Sequence, residues 1–311
     1  RGLVKQKRIL YRQREDYRSC LGAFLWELPE DTHSDMFVGD RATRWIEEYH
    51  GDQPFFLVYA SNSPHLPWSE GDPGQYDKQK IEVPPYLYDN QQTRAAMIKY
   101  YAEITDFDRE LGEVDAQLHA AGKQDDTIFI YTSEQGAQFP YGKWTCYEVG
   151  LHVGLIMRWP RQISGGSHSD ALVQYVDVLP TLLDLCEIDV KADFDGRSFS
   201  RVIQGGAEKH NEFVFGVHTT RGIIHGSESY PIRSIRSERY KLILNLNHEI
   251  NFQNTLTQGD GGNYWKSWVA AAESDSHARA VVQGYVRRPR VEFYDLEVDP
   301  FERTNLADKP M

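Results

Sequence analysis

Hydrophobic positions along the chain fall into two kinds of pattern, and together they predict an α/β framework. Residues 55–60, Phe-Phe-Leu-Val-Tyr-Ala, form a nearly continuous apolar run that suits a strand buried on both faces, as do 127–132 and 153–160. Between the first two, Met97, Tyr100, Ile104, Phe107, Leu111, Val114 and Leu118 recur at alternating spacings of three and four. That periodicity predicts a helix, with Thr93 able to cap its start and Gly122 to close its end. Lys99, Glu103, Arg109, Glu110 and Glu113 are left for its polar face. Strand, helix, strand in this order predicts a right-handed crossover joining two parallel strands. The expected fold is α/β, with a mixed, mostly parallel central sheet flanked by helices.

Breaks in the pattern near 191–211 place a domain boundary, so residues 1–200 read as one domain and 201–311 as a smaller one. In the smaller domain, 212–217, 229–247 and 291–296 read as strands of an antiparallel sheet, and 263–285 as helical. Residues 35–49 read as a helix leading into the first strand. Residues 1–35 carry no motif.

Two of the predicted strands end in loops that carry candidate chemistry. The first is Ser61-Asn62-Ser63-Pro64-His65-Leu66-Pro67, in which two prolines hold His65 on a stiff segment suited to acid/base work. The second is Ser133-Glu134-Gln135-Gly136, whose side-chain oxygens suit a hard cation; an ordinary polar turn is the alternative. In open α/β sheets the crevice beyond the carboxyl ends of the strands is where ligands bind. Lys143, between Gly142 and Trp144, can meet an anion while its stem packs on the ring, or it can be a solvated surface lysine.

These blocks, in this order, resemble the sulfatases of the alkaline-phosphatase-like superfamily, and among them bacterial relatives of heparan N-sulfatase. Pro64-His65-Leu66-Pro67 resembles the family's histidine loop, Thr132-Ser133-Glu134-Gln135-Gly136 its metal loop, and Gly142-Lys143-Trp144 its lysine segment. The stretch 176–184, Asp195-Gly196-Arg197-Ser198, and 294–300 with Glu302 and Asn305 resemble three further family signatures.

The resemblance implies roles for individual residues. His65 and Lys143 would be catalytic, and Glu134 and Gln135 would be ligands to a divalent metal, Ca2+ or else Mg2+. His218 and Arg221 would contact a sulfated carbohydrate substrate. It also implies a periplasmic or extracellular location.

The sequence departs from the family pattern at two points. The family's early Asp-Asp pair and its C/S-x-P/A-x-R motif, the source of the formylglycine nucleophile, are not found; none of the three cysteines has the arginine four residues on. An N-terminal part of the polypeptide carrying them is therefore expected to precede Arg1, and the chain alone is expected to be inactive. The metal loop reads Glu134-Gln135 where Asp-Asn or Asp-His is commoner, which lengthens each side chain by one methylene but keeps its oxygens. A phosphoester or phosphonate hydrolase of the same superfamily, and a non-catalytic carbohydrate-binding relative, are the alternative readings.

Composition narrows the field further. A net charge of -12 argues against broad nucleic-acid binding, so recognition of a sulfated sugar would need a local basic patch. Residues 218–241 supply one, with Arg221, Arg233, Arg236, Arg239 and Lys241 against Glu228 and Glu238. Within it, Arg233, Arg236 and Lys241 are expected on the solvent side of a strand, with Ile232, Ile235 and Leu242 partly inside. Three cysteines allow no disulfide framework, and no apolar run is long enough for a membrane span.

Overall fold

The computed structural model describes residues 34–189, 192–220, 223, 226–258 and 263–309. Two compact units emerge. One is drawn from the described residues of 1–124, 222–226 and 253–284, the other from those of 125–221, 227–252 and 285–311. The chain therefore returns to the first unit after residue 252.

In the first unit, helix α1 (Ser34–Glu48) packs on helix α2 (Gln91–Ala120), burying Ala42 and Ile46. The start of α2 is capped by Asn90, whose side chain accepts from Thr93 N at 2.9 Å. Thr93 is not the cap. Its hydroxyl is buried and donates to Tyr88 O at 2.7 Å, while Trp268 Nε1 donates to it at 2.7 Å from the helix Asn263–Ala271. At the other end Gly122 has φ +65°, and Lys123 N reaches back to Leu118 O at 3.0 Å, the left-handed closure that a Cβ would oppose.

Two positions assigned to the polar face of α2 are in fact buried. Glu103 accepts from the backbone N–H groups of Ser69 and Glu70 at 2.6 and 3.2 Å, and Glu110 accepts from the Tyr59 hydroxyl. A buried carboxylate persists where donors meet it, and here the donors come from the segment just before α2. Residues 55–60 carry no strand ladder among the described residues, although exposure alternates along them: Phe56 is 81% and Val58 69% exposed.

The second unit holds all six described strands, and every pairing is antiparallel. Strand β1 (Phe129–Thr132) pairs with β2 (Leu155–Arg158), Phe129 opposite Arg158. The two runs expected to lie parallel in one sheet, 55–60 and 127–132, are not neighbours among the described strands; β1 takes its partner from the next apolar run. The smaller antiparallel sheet is present as expected: β3 (Val214–His218), β4 (Ile232–Arg236), β5 (Tyr240–Asn245) and β6 (Val291–Asp295) lie in that order. No described helix is long and apolar enough to cross a membrane.

The phase of β5 is opposite to the expectation. Lys241, Ile243 and Asn245 point inward, and Lys241 is only 1% exposed. What holds a lysine there is a pair of carboxylates: Nζ donates to Glu148 Oε1 at 2.8 Å and lies 3.3 Å from Glu302 Oε1. Arg236 Nε donates to the other Glu148 oxygen at 3.0 Å, and Glu302 Oε2 accepts from Glu148 N at 2.6 Å. The expected solvent-facing stripe therefore survives only in part, since Arg233 is exposed but Arg236 is half-buried and Lys241 is interior.

Burial pushes the Glu302 carboxyl up to about 7 despite Lys241 beside it, whereas Lys241 and Arg236 hold Glu148 below its ordinary value against the cost of burial. Glu302 therefore favours the folded state most when protonated. Its contribution is complete below its ordinary value of 4.5 and is lost as pH rises through about 7. Glu148 and Tyr294 are the other titrating groups that face it. Urea unfolding of Glu302→Gln against the parent should show the parent losing ground to the variant between pH 4.5 and 7. A stability difference that does not change with pH would contradict this assignment.

Candidate functional site

The Ser133-Glu134-Gln135-Gly136 loop leaves the end of β1 and is fixed from both sides. Thr132 Oγ1 donates to Gly154 O at 3.0 Å, and the Tyr175 hydroxyl donates to Ser133 O. Gly136 N donates to Gly150 O at 3.0 Å, and a Cβ on Gly136 would lie 1.8 Å from Val149 O, so only glycine permits this approach of two backbones. Glu134 is exposed and Gln135 half-buried.

The donor chemistry of this loop suits a hard cation, but calcium takes 6–8 oxygens and the loop offers two such side chains. The described residues hold no group of three His, Cys, Asp or Glu that could complete a shell. They do not by themselves fit a metal centre.

Lys143 stands close enough to Glu134 for the carboxylate to act on its charge. Its backbone N–H donates to Ala137 O at 2.8 Å, and Gly142 N donates to Phe139 O at 3.0 Å, winding residues 137–143 into a tight turn. Tyr141 and Trp144 both sit at φ 69°, a conformation costly for bulky side chains. Thr145 Oγ1 helps hold the turn through contacts with Tyr141 O and Gly142 O at 2.6 and 2.8 Å.

Lys143 is not a solvated surface lysine, for it is only 9% exposed, with Nζ 5.4 Å from the centroid of the Trp144 ring. Burial pulls its pKa down, and the Glu134 carboxylate pulls the other way. A buried cation between two strained residues, beside a loop of oxygen donors, is the arrangement expected of an anion-binding group.

His65 lies in the first unit. Its Nδ1 is 2.6 Å from Leu66 O; a carbonyl can only accept, so Nδ1 carries the hydrogen and Nε2 is the basic atom. The loop is braced by Trp68 Nε1 donating to Pro64 O at 3.1 Å and by Glu103 holding the backbone at Ser69 and Glu70. Sequence reasoning missed Glu103 as a brace because an acidic residue at that helical position also fits a solvated face.

His218 ends β3 half-buried, with its Nε2 turned into the interior. Burial and the charge of Arg288 push its pKa down to about 4, so it is neutral near pH 7. Arg221 lies outside the described residues. Arg288, which the sequence reading did not single out, is buried beside His218. Its one legible signal is a position within Arg287-Arg288-Pro289-Arg290, just before a strand.

Comparison with known proteins identifies the family of the chain. The family model described as Sulfatase matches residues 7–188, and one described as N-sulphoglucosamine sulphohydrolase, C-terminal, matches 136–257. An ulvan-active sulfatase of Formosa agariphila is 34% identical over 83% of this chain and 49% of its own length. The human N-sulphoglucosamine sulphohydrolase is 26% identical over 83% of this chain and 57% of its own length. The chain thus spans about half the length of the curated relatives it matches.

Among solved structures, one described as a complex with its substrate D-glucosamine-2-N,6-O-disulfate has a TM-score of 0.65 at 19% identity, covering 89% of this chain and 66% of that one. A phosphonate monoester hydrolase of Agrobacterium radiobacter also reaches 0.65 at 19% identity, covering 91% of this chain and 58% of that one. At such identities these two likenesses establish the α/β fold alone.

Proposed function

Because the chain belongs to the sulfatase family, we propose that the polypeptide to which it belongs hydrolyses sulfate esters or N-sulfates of sulfated sugars. The observation that carries this reading is the buried Lys143 cation held between Tyr141 and Trp144 beside Glu134. A sulfuryl group gathers negative charge on its oxygens as the bond to the sugar breaks. A lysine already stripped of water meets that charge without reorganisation, so it stabilises the transition state more than a solvated lysine would.

His65 is proposed to give a proton to the departing sugar oxygen or nitrogen. With its Nδ1 hydrogen held by Leu66 O, Nε2 is the atom that must first take up a proton, forming the imidazolium, and then give it to the leaving group. Glu134 and Gln135 are proposed to give two oxygens to a divalent cation, Ca2+ or Mg2+, whose remaining donors come from elsewhere in the polypeptide. A formylglycine, were one present, would supply the oxygen that attacks sulfur. Arg221 is a proposed contact to the sugar or its sulfate.

The test is a substrate panel given to the full-length polypeptide: O-sulfated sugars, glucosamine N-sulfate and a phosphonate monoester, with inorganic sulfate or released alcohol as readout. Sulfate release from a sulfated sugar is the expected result. Turnover of the phosphonate ester with none of the sulfated sugars would replace this reading with the phosphonate hydrolase.

A further inference from the structure

Arg288 follows the helix Ser276–Val286 and is 2% exposed. Its Nε donates to Tyr285 O at 3.2 Å, but Nη1 and Nη2 have no hydrogen-bond partner among the described residues, and no carboxylate lies within ion-pair distance. Glu292 is near enough to influence the guanidinium, yet its oxygens are already taken. Oε2 accepts from the hydroxyls of Tyr147 and Tyr294 at 2.7 and 2.6 Å, and Oε1 accepts from Asn245 Nδ2 at 2.6 Å. What surrounds the cation is aromatic: its Cζ lies 4.2 Å from the Phe252 ring centroid, 5.0 Å from Tyr147 and 5.2 Å from Tyr285. Ring faces offset part of the desolvation of a guanidinium but give its N–H groups no acceptor.

Two more polar atoms in the same neighbourhood lack partners. The Tyr230 hydroxyl is buried without a hydrogen bond, and so is His218 Nε2. Both rings pack against Phe252, Tyr230 at 5.1 Å and His218 at 6.1 Å between centroids, so Phe252 is a neighbour common to all three groups. The charge of Arg288 acts on His218 and on Tyr230 alike. Tyr230, pushed up to about 12 by burial, keeps its hydrogen as a donor. Neutral His218 can place its one ring hydrogen on either nitrogen, so it too can donate from Nε2.

A buried permanent cation and two buried donors without acceptors form a set that an anion would complete. We propose that Arg288, Tyr230 and His218 enclose a binding site for a small monovalent inorganic anion of the halide type, separate in chemistry from the lysine and oxygen-donor loop. Glu292 already acts on the charge of the guanidinium, so what remains unmet is an acceptor for its two Nη groups, which a single small anion supplies. The near-complete burial of Arg288 and Tyr230 favours a monatomic ion over a sugar or a bulky oxyanion.

Two measurements on the purified polypeptide test this proposal. Crystals grown in sodium bromide are expected to show one anomalous peak in contact with Arg288 Nη1 and Nη2. The melting temperature is expected to rise saturably with chloride or bromide over gluconate at equal ionic strength, which separates binding from screening.

Tyr230→Phe keeps the ring on Phe252 and should weaken halide affinity by roughly tenfold, the loss of one donor to an ion. His218→Phe should do likewise. Both keep the core filled if Arg288→Met does not fold. A water in that position in bromide crystals would overturn the proposal, as would a bromide peak without any saturable effect on melting, which marks an adventitious ion only.

Discussion

Lys143→Met in the full-length polypeptide is expected to lower the rate of sulfate release from a sulfated sugar by at least roughly a hundredfold, the usual loss when one preorganised oxyanion contact is removed. Methionine keeps an unbranched apolar stem against Trp144 and removes only the charge, so melting should change little. Burial is the cause: at 9% exposure, Nζ meets an incoming anion with little water to displace. His65→Ala should cost at least roughly tenfold by removing a proton donor. Steady-state sulfate release by both variants beside the parent is the measurement. Unchanged turnover in both would remove these residues from the chemistry.

The largest effect on stability is expected at Lys241. Its replacement by methionine leaves Glu148 with Arg236 as its permanent cation and Glu302 with no cation beside it, in a region where Lys241 and Glu302 side chains are each 1% exposed. Breaking a buried ion pair by removing one partner costs about 3–5 kcal/mol, far more than a surface pair contributes. Denaturant unfolding near pH 7 should show a loss of this order. Glu302→Gln combined with Lys241→Met should recover part of it, because the amide is neutral without taking up the proton that burial and the loss of Lys241 force on Glu302 near pH 7. A loss below about 1 kcal/mol would mean that water reaches the cluster.

What could be read from the sequence follows from how local each determinant is. Helix α2 was legible because a regular three-four spacing and a closing glycine lie within one segment. Its cap was misplaced by three residues because Asn90 and Thr93 are both good capping side chains, and only the distant Trp268 shows that Thr93 is engaged otherwise. Glu103, Glu110 and Lys241 were assigned to solvent because composition alone carries no information about a partner in another segment. Their partners are backbone donors at 69 and 70, a tyrosine at 59, and carboxylates at 148 and 302.

The neighbour of each strand was not legible for a related reason. A short apolar run announces a strand but not the strand it will join, and β1 pairs with β2. The candidate site was more legible, because a stiff histidine loop, a pair of oxygen donors and a lysine beside a tryptophan are local chemistry. Their environments were not. The left-handed φ at Tyr141 and Trp144, the burial of Lys143 and the inward turn of His218 appear only in the folded chain.

The claim that Lys143 receives the sulfate group is tested most directly by calorimetric titration of inorganic sulfate, the product, into the full-length polypeptide and its Lys143→Met variant at matched ionic strength. Loss of a charge-assisted contact in a buried setting should weaken sulfate binding by at least roughly tenfold with the melting temperature unchanged. Equal affinity in the two proteins would show that Lys143 is a buried structural cation and that the sulfate binds elsewhere.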